Sequence, residues 1–205
     1  MKVDIQDVLF WMDAIRNSDD KYRTLESFWK GQVNSKVWLA ENLIGFSIHY
    51  GFVPVRPLNI VIYGGWNGVL ASILFNSNIA VNSITSVDID PVCEDIANTV
   101  NKRQEMQGKF SAVTADMCEY TTNADVVINT SCEHITQEQY EQWLNNQPDD
   151  AVFVLQSNNY FTHDEHVRCA IDLTDFTRMS KIKPFYRGTL DTPKYERYMI
   201  IGKKK

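Results

Sequence analysis

The chain has 205 residues, 44% of them hydrophobic and 22% charged, enough to bury one core and to predict a single folded unit. A formal charge of −6 argues against a surface built for a phosphate backbone, which needs clustered Lys and Arg, so nucleic acid is not an expected partner. No apolar run approaches the roughly 20 residues that cross a bilayer, the first residues lack a signal-peptide core, and Cys93, Cys118, Cys132 and Cys169 form no Cys-x-x-Cys pair. A soluble, cytoplasmic protein with reduced thiols used in packing is therefore expected, with no membrane partner.

Residues 1–54 have helical periodicity, through Val8, Leu9, Trp11 and Met12, then Leu25, Phe28 and Trp29, then Val37, Trp38, Leu43 and Ile44. Thr24 and Ser35 are placed to cap two of these helices, and Gly51 to Pro54 break the run. This stretch reads as an N-terminal helical extension lying over a core formed by residues 55–205. Gln32, Ser35, Lys36 and Trp38 fit either a solvated helix face with Trp38 in the core or a flap facing a substrate.

Ile60, Val61 and Ile62 then form a short β-branched run suited to a strand buried on both faces. Gly64, Gly65 and Gly68 end it, and Val69, Leu70, Ile73 and Leu74 resume helical spacing. A glycine turn between strand and helix lets a nucleotide-like ligand approach the backbone, although it also serves as a plain connection. Further strands are predicted at 84–88, 110–115, 125–129 and 151–155. Between them, Asp90 and Pro91 open a helix over 92–100, and Thr136 with Gln139 forms a capping box for the helix carrying Tyr140, Trp143 and Leu144. A helix over 164–179 and strands at 185–190 and 196–202, joined as a hairpin, complete the chain. The alternation predicts an α/β protein with a doubly wound, mostly parallel seven-stranded sheet, a C-terminal antiparallel hairpin and the N-terminal helical extension.

In such a sheet a ligand sits beyond the carboxyl ends of the strands. Asp88 follows Gly64 by 24 positions, close to the offset at which an acid accepts both ribose hydroxyls; as a loop acid beside Asp90 it would have no ligand. Glu133 and His134 follow the fourth strand, where they can serve as a general base or merely lead into the capped helix. His163 and His166 suggest a metal pair, but no third ligand is evident in the sequence and helix-start polarity explains them as well, so no metal is expected.

Four segments carry a resemblance to a known family: Ile-Val-Ile-Tyr-Gly-Gly-Trp-Asn-Gly (60–68), Ser-Val-Asp-Ile-Asp-Pro (86–91), Val-Thr-Ala-Asp-Met (113–117) and Ala-Asp-Val-Val-Ile-Asn (124–129). With the closing hairpin, the chain from about residue 59 onward resembles the class I S-adenosylmethionine-dependent methyltransferases. The resemblance implies S-adenosylmethionine as cofactor. It places the methionine moiety on Gly64, Gly65, Trp66, Asn67 and Gly68, the ribose on Asp88, and the adenine on Ile89, with Asp116 and the Met117 backbone at its amino edge. Asn129 would lie beside the methionine end. Ile62 stands where the family usually has an acid, and Trp66 replaces its central glycine, so the indole face is the available group for a cation. The turn does not read Gly-x-Gly-x-x-Gly, which disfavours a nicotinamide site, and no Asn-Pro-Pro-aromatic signature follows the fourth strand. The expected acceptor is a small molecule or a protein side chain, with Lys36, Trp38 and Tyr160 on its side of the pocket and Glu133 and His134 as catalytic candidates. Two alternatives stay open: an aminopropyl or aminocarboxypropyl transferase on the same fold, and a degenerate, non-catalytic binding protein.

Overall fold

The computed structural model describes residues 2–50 and 56–205, with backbone alone for 46–50; the expected break at Gly51 to Pro54 lies outside the described residues. Helix α1 (Ile5–Asn17) starts at Asp4, whose carboxylate accepts the Gln6 N–H, and α2 (Lys21–Glu26) at Asp20, which accepts the Arg23 N–H. α3 (Lys30–Tyr50) follows. Thr24 and Ser35 are interior residues of α2 and α3 and not caps. The Thr24 hydroxyl donates to Ser18 Oγ, and that of Ser35 donates across the molecule to Gln156 Oε1 at 3.3 Å. At α2, Asp20 is the cap because an ionised carboxylate both accepts the free N–H and suits the positive helix end.

The remaining elements are β1 (Leu58–Tyr63), α4 (Val69–Phe75), β2 (Val81–Asp88), α5 (Val92–Val100), α6 (Lys102–Glu105), β3 (Phe110–Thr114) and β4 (Val126–Asn129). They are followed by a 3-10 turn (Cys132–His134), α7 (Gln137–Asn145), β5 (Val152–Asn158), α8 (Leu173–Ser180), β6 (Ile182–Asp191) and β7 (Glu196–Lys204). The seven strands lie in the order β3-β2-β1-β4-β5-β7-β6; β1 to β5 are mutually parallel where they pair, and β7 runs antiparallel to both β5 and β6. The expected doubly wound sheet with a closing hairpin is thus present. Alternate residues of β1 enter opposite layers: Ile60 and Ile62 pack with Leu39 and Leu43 of α3 and Leu70 and Leu74 of α4, whereas Val61 and Tyr63 pack with Trp143 of α7 and Phe153. The Thr136–Gln139 capping box starts α7 as expected.

The helix expected over 164–179 is confined to α8, and residues 159–172 form turns and bends. Long-range bonds take over the backbone there. The Val167 and Arg168 N–H groups both donate to the Glu133 carbonyl, at 2.9 and 3.0 Å, and Ala170 N–H donates to Asn158 O. The buried Arg168 side chain bonds Gln137 Oε1 and the carbonyls of Cys132 and Met179, with its guanidinium 3.9 Å from the Tyr140 ring centroid. This segment is thereby clamped over the end of the sheet.

At the N-terminus, Asp7 is 1% exposed and anchors α1, accepting from Arg103 Nε and Nη2 at 2.8 and 2.7 Å and from Asn76 Nδ2 at 2.9 Å. Burial pushes its pKa up, but the hydrogen bonds from Arg103 and Asn76 outweigh that and hold it below the usual carboxylate value. A carboxylate with a depressed pKa stabilises the fold above its unfolded value and loses that contribution as pH falls through the folded one. Arg103→Met is expected to cost about 2–4 kcal/mol at pH 7, less than for a fully buried pair because Arg103 is partly exposed. In urea denaturation the gap from wild type should narrow as pH falls below the unfolded Asp range; equal midpoints at pH 7 would contradict this role.

Candidate active site

The carboxyl ends of β1 to β5 open on a cavity of about 970 Å³, with α2, α3 and the 159–172 segment contributing to its walls. The turn after β1 makes demands on the backbone at three alternate positions. Gly64, Trp66 and Gly68 have φ of 61°, 48° and 71°, and a side chain on Gly64 or Gly65 would come within 2.4 Å of Ser131 Oγ or 2.0 Å of Ser86 Oγ. Glycine meets the first demand without strain, but Trp66 adopts the left-handed region with a bulky side chain. Its N–H is fastened to Asp88 Oδ2 at 2.8 Å, while Asp88 Oδ1 accepts the Asp90 N–H at 3.1 Å.

Gly64, Gly65, Trp66, Asp88, Ile89, Asp116 and Met117 all line the cavity. Ile89 is 70% exposed there, a large apolar side chain without cover. Asn67, Gly68 and Asn129 lie outside the lining. Asn67 is buried beneath the turn, the Gly68 carbonyl accepts from Asn101 Nδ2, and the buried Asn129 accepts the Ser131 N–H, shaping the exit from β4.

Lys36, Glu133, His134 and Tyr160 also line the cavity. Trp38 does not; it packs beside Tyr186 and Gly188 of β6, the core position that was one of its two sequence readings. A buried polar network lies behind this part of the wall. Glu133 is 2% exposed, and its Oε1 accepts from Asn158 Nδ2 at 2.7 Å and Arg197 Nη1 at 3.0 Å. Glu133 Oε2 is buried without a hydrogen-bond partner among the described residues. Arg197 also donates to Thr130 O and Gln156 Oε1, the acceptor that Ser35 reaches. Gln156 and Asn158 lie in the 156–160 stretch that the sequence marks at the end of the fifth strand, whereas sequence reasoning missed Arg197; the available signal was a cation directly before the apolar run Tyr198 to Ile201.

His134 is exposed at the cavity wall, its ring 4.8 Å from that of His166 and nearly perpendicular to it. Desolvation lowers the His134 pKa, and the Glu133 carboxylate opposes the shift. Glu133, His134 and His166 each place one possible ligand atom within 4.8 Å of the others. Of the pair His163 and His166 read from the sequence, only His166 belongs to this cluster; Glu133 and His134 complete it, and His163 stands outside.

No family model matches the sequence, and no curated protein matches it. Solved structures do. Magnesium protoporphyrin IX methyltransferase (ChlM) from Synechocystis PCC 6803 with S-adenosylhomocysteine bound superposes at a TM-score of 0.64 with 13% identity, over 98% of this chain and 94% of that one. The pyocyanin biosynthetic protein PhzM gives 0.64 with 14% identity, over 95% of this chain and 62% of that one, and the mitomycin 7-O-methyltransferase MmcR gives 0.61 with 14% identity, over 94% and 60%. The chain has the class I methyltransferase fold. In that fold the cavity occupies the switch in strand order, where β1 lies between β2 and β4. Among the described residues no helix is long and apolar enough to cross a membrane.

Lys36 is the charge this site treats most harshly. Its Nζ donates to Gln32 Oε1 at 2.9 Å, no carboxylate pairs with it among the described residues, and burial, reinforced by Arg197, lowers its pKa to about 7. Above pH 10.5 the lysine is neutral both folded and unfolded. As pH falls toward 7 the unfolded chain takes up the proton and the folded chain resists, so stability declines; below 7 the penalty is constant. At about 1.4 kcal/mol per tenfold difference in protonation, Lys36→Met should raise stability by a few kcal/mol at pH 6. Thermal unfolding at pH 6 and pH 10.5 checks this: the gain should shrink at the higher pH, and a gain independent of pH would refute the buried-charge account.

Proposed function

We propose that this protein is an S-adenosylmethionine-dependent methyltransferase acting on a small molecule, or on a protein side chain presented to the same cavity. The observation that carries the reading is Asp88 at the end of β2, bonded to a turn held in the left-handed region at the strand switch of this fold. The residues fit the cofactor. An ionised carboxylate has about four lone-pair directions, and Asp88 gives one on each oxygen to a backbone N–H, leaving capacity for two ribose hydroxyls. Ile89, uncovered, offers the adenine an apolar face, and Asp116 lies on the same wall. At the methionine end Ile62 provides no carboxylate, so Trp66 is the residue placed to attract a cation through its ring.

When bound, S-adenosylmethionine supplies a methyl group activated by its sulfonium. The chain has to position the acceptor and take up a proton. Lys36 is the better base: it lines the cavity, is buried without a carboxylate partner, and is substantially neutral near pH 7. Glu133, proposed from sequence beside His134 as the base, has one oxygen already committed to Asn158 and Arg197. Tyr160 flanks the acceptor side. A non-catalytic binding role is the second reading, favoured by Ile62 and by the strained Trp66.

Incubation with S-adenosylmethionine, and separately with its decarboxylated form, and candidate acceptors tests the reaction: methyl transfer releases S-adenosylhomocysteine from the first, aminocarboxypropyl transfer from the first or aminopropyl transfer from the second releases methylthioadenosine, and a binding protein releases neither. For the site itself, Asp88→Ala should weaken S-adenosylhomocysteine binding by about 1.5–3 kcal/mol, the range for hydrogen bonds to a charged group. Calorimetric titration of a folded variant checks it, and unchanged affinity would remove Asp88 from the site.

A further inference from the structure

Glu133, His134 and His166 have a property that the proposed transfer does not use. The Glu133 carboxylate is split in function: Oε1 is held by Asn158 and Arg197, whereas Oε2 is buried with nothing to bond among the described residues. An orphaned carboxylate oxygen is costly and calls for a partner such as a water or an ion. His166 Nδ1 lies 2.8 Å from the Tyr160 carbonyl, an acceptor that holds the ring proton on Nδ1 and leaves Nε2 with a free lone pair. A backbone carbonyl behind one imidazole nitrogen is how proteins orient a ligating histidine. The Val167 and Arg168 N–H groups bond the Glu133 carbonyl, so the strand of chain bearing His166 is fixed to the residue whose oxygen is unpaired.

We infer that Glu133, His134 and His166 form a binding site for a divalent transition-metal ion of the zinc class, opening on the acceptor side of the cavity. Two imidazoles and one carboxylate suit Zn²⁺, Co²⁺ or Fe²⁺, and they leave a coordination position for an exogenous oxygen; Mg²⁺ and Ca²⁺ prefer oxygen ligands throughout. The three ligand atoms lie within 4.8 Å of one another, and tetrahedral ligands at about 2.1 Å from an ion are about 3.4 Å apart, so closure requires small side-chain rotations. Arg197 competes for the carboxylate from the Oε1 side and weakens the site without occupying Oε2. All three residues line the cavity, so an exogenous ligand could reach the ion from there. If methyl transfer is the reaction, an acceptor hydroxyl bound there loses its proton more readily, giving the site a role complementary to Lys36.

Ion binding itself does not depend on the transferase reading, and the test omits S-adenosylmethionine so that the two fail separately. The full chain, stripped with a chelator and dialysed, is titrated calorimetrically with zinc chloride, and its cobalt(II) absorption spectrum is recorded. We expect one zinc per chain, a cobalt spectrum of low-coordinate N/O type, and at least tenfold weaker zinc binding in both Glu133→Gln and His166→Gln. His163→Gln, outside the ligand set, should retain wild-type affinity. Should Glu133→Gln fail to fold, the His166→Gln comparison and the wild-type cobalt spectrum decide. Absence of stoichiometric zinc binding, equal affinity in His166→Gln, or equal loss in His163→Gln would overturn the inference.

Discussion

The hydrogen bond from the Trp66 amide to the Asp88 carboxylate, 2.8 Å long, joins the turn after β1 to the end of β2 and sets the geometry on which the cavity depends. Trp66 has a φ that disfavours any side chain, and its neighbours Gly64 and Gly65 stand so close to Ser131 and Ser86 that neither tolerates a Cβ in this arrangement. The strain is carried by the sheet. β1 is paired on both sides, with β2 and with β4, so the strand ends cannot drift apart to relax the turn. Asp88 thus has two duties, fixing the backbone and presenting its remaining lone pairs to the cavity.

Much of this was legible because it is local. A β-branched triplet followed by glycines, an acid at the next strand end, and a Thr136–Gln139 box each specify structure through neighbours a few residues away. One error was local: Asp20, four residues before Thr24, caps α2. The others arose where distant groups supplied the bonding: Ser35 spends its hydroxyl on Gln156, and the carbonyl of Glu133 captures the amides of Val167 and Arg168, which cuts short a helix that periodicity extended. Trp38 had a core reading and a substrate reading, and only the position of β6 separates them. Of the site, the turn and Asp88 were visible in sequence. Arg197 was not, because its importance comes from Glu133, 64 residues earlier, and from nothing beside it in the chain.

Lys36, Arg197 and the buried Glu133 line the same cavity; Arg197 pairs with Glu133, and its charge reinforces the burial that lowers the Lys36 pKa. Burial lowers the Lys36 pKa to about 7, while Arg197 holds Glu133 in place through its guanidinium. One cation is therefore available to exchange a proton and the other to fix geometry, a division that follows from side-chain chemistry as much as from position.

We propose that the turn at Gly64–Gly68 and Asp88 seat an adenosyl cofactor, which a crystal structure of this chain grown with S-adenosylhomocysteine would reveal. Density is expected in the cavity with both ribose hydroxyls at Asp88, the adenine over Ile89, and the Trp66 amide still bonded to the carboxylate. Ligand density elsewhere on the molecule, or an empty cavity at saturating ligand, would contradict it.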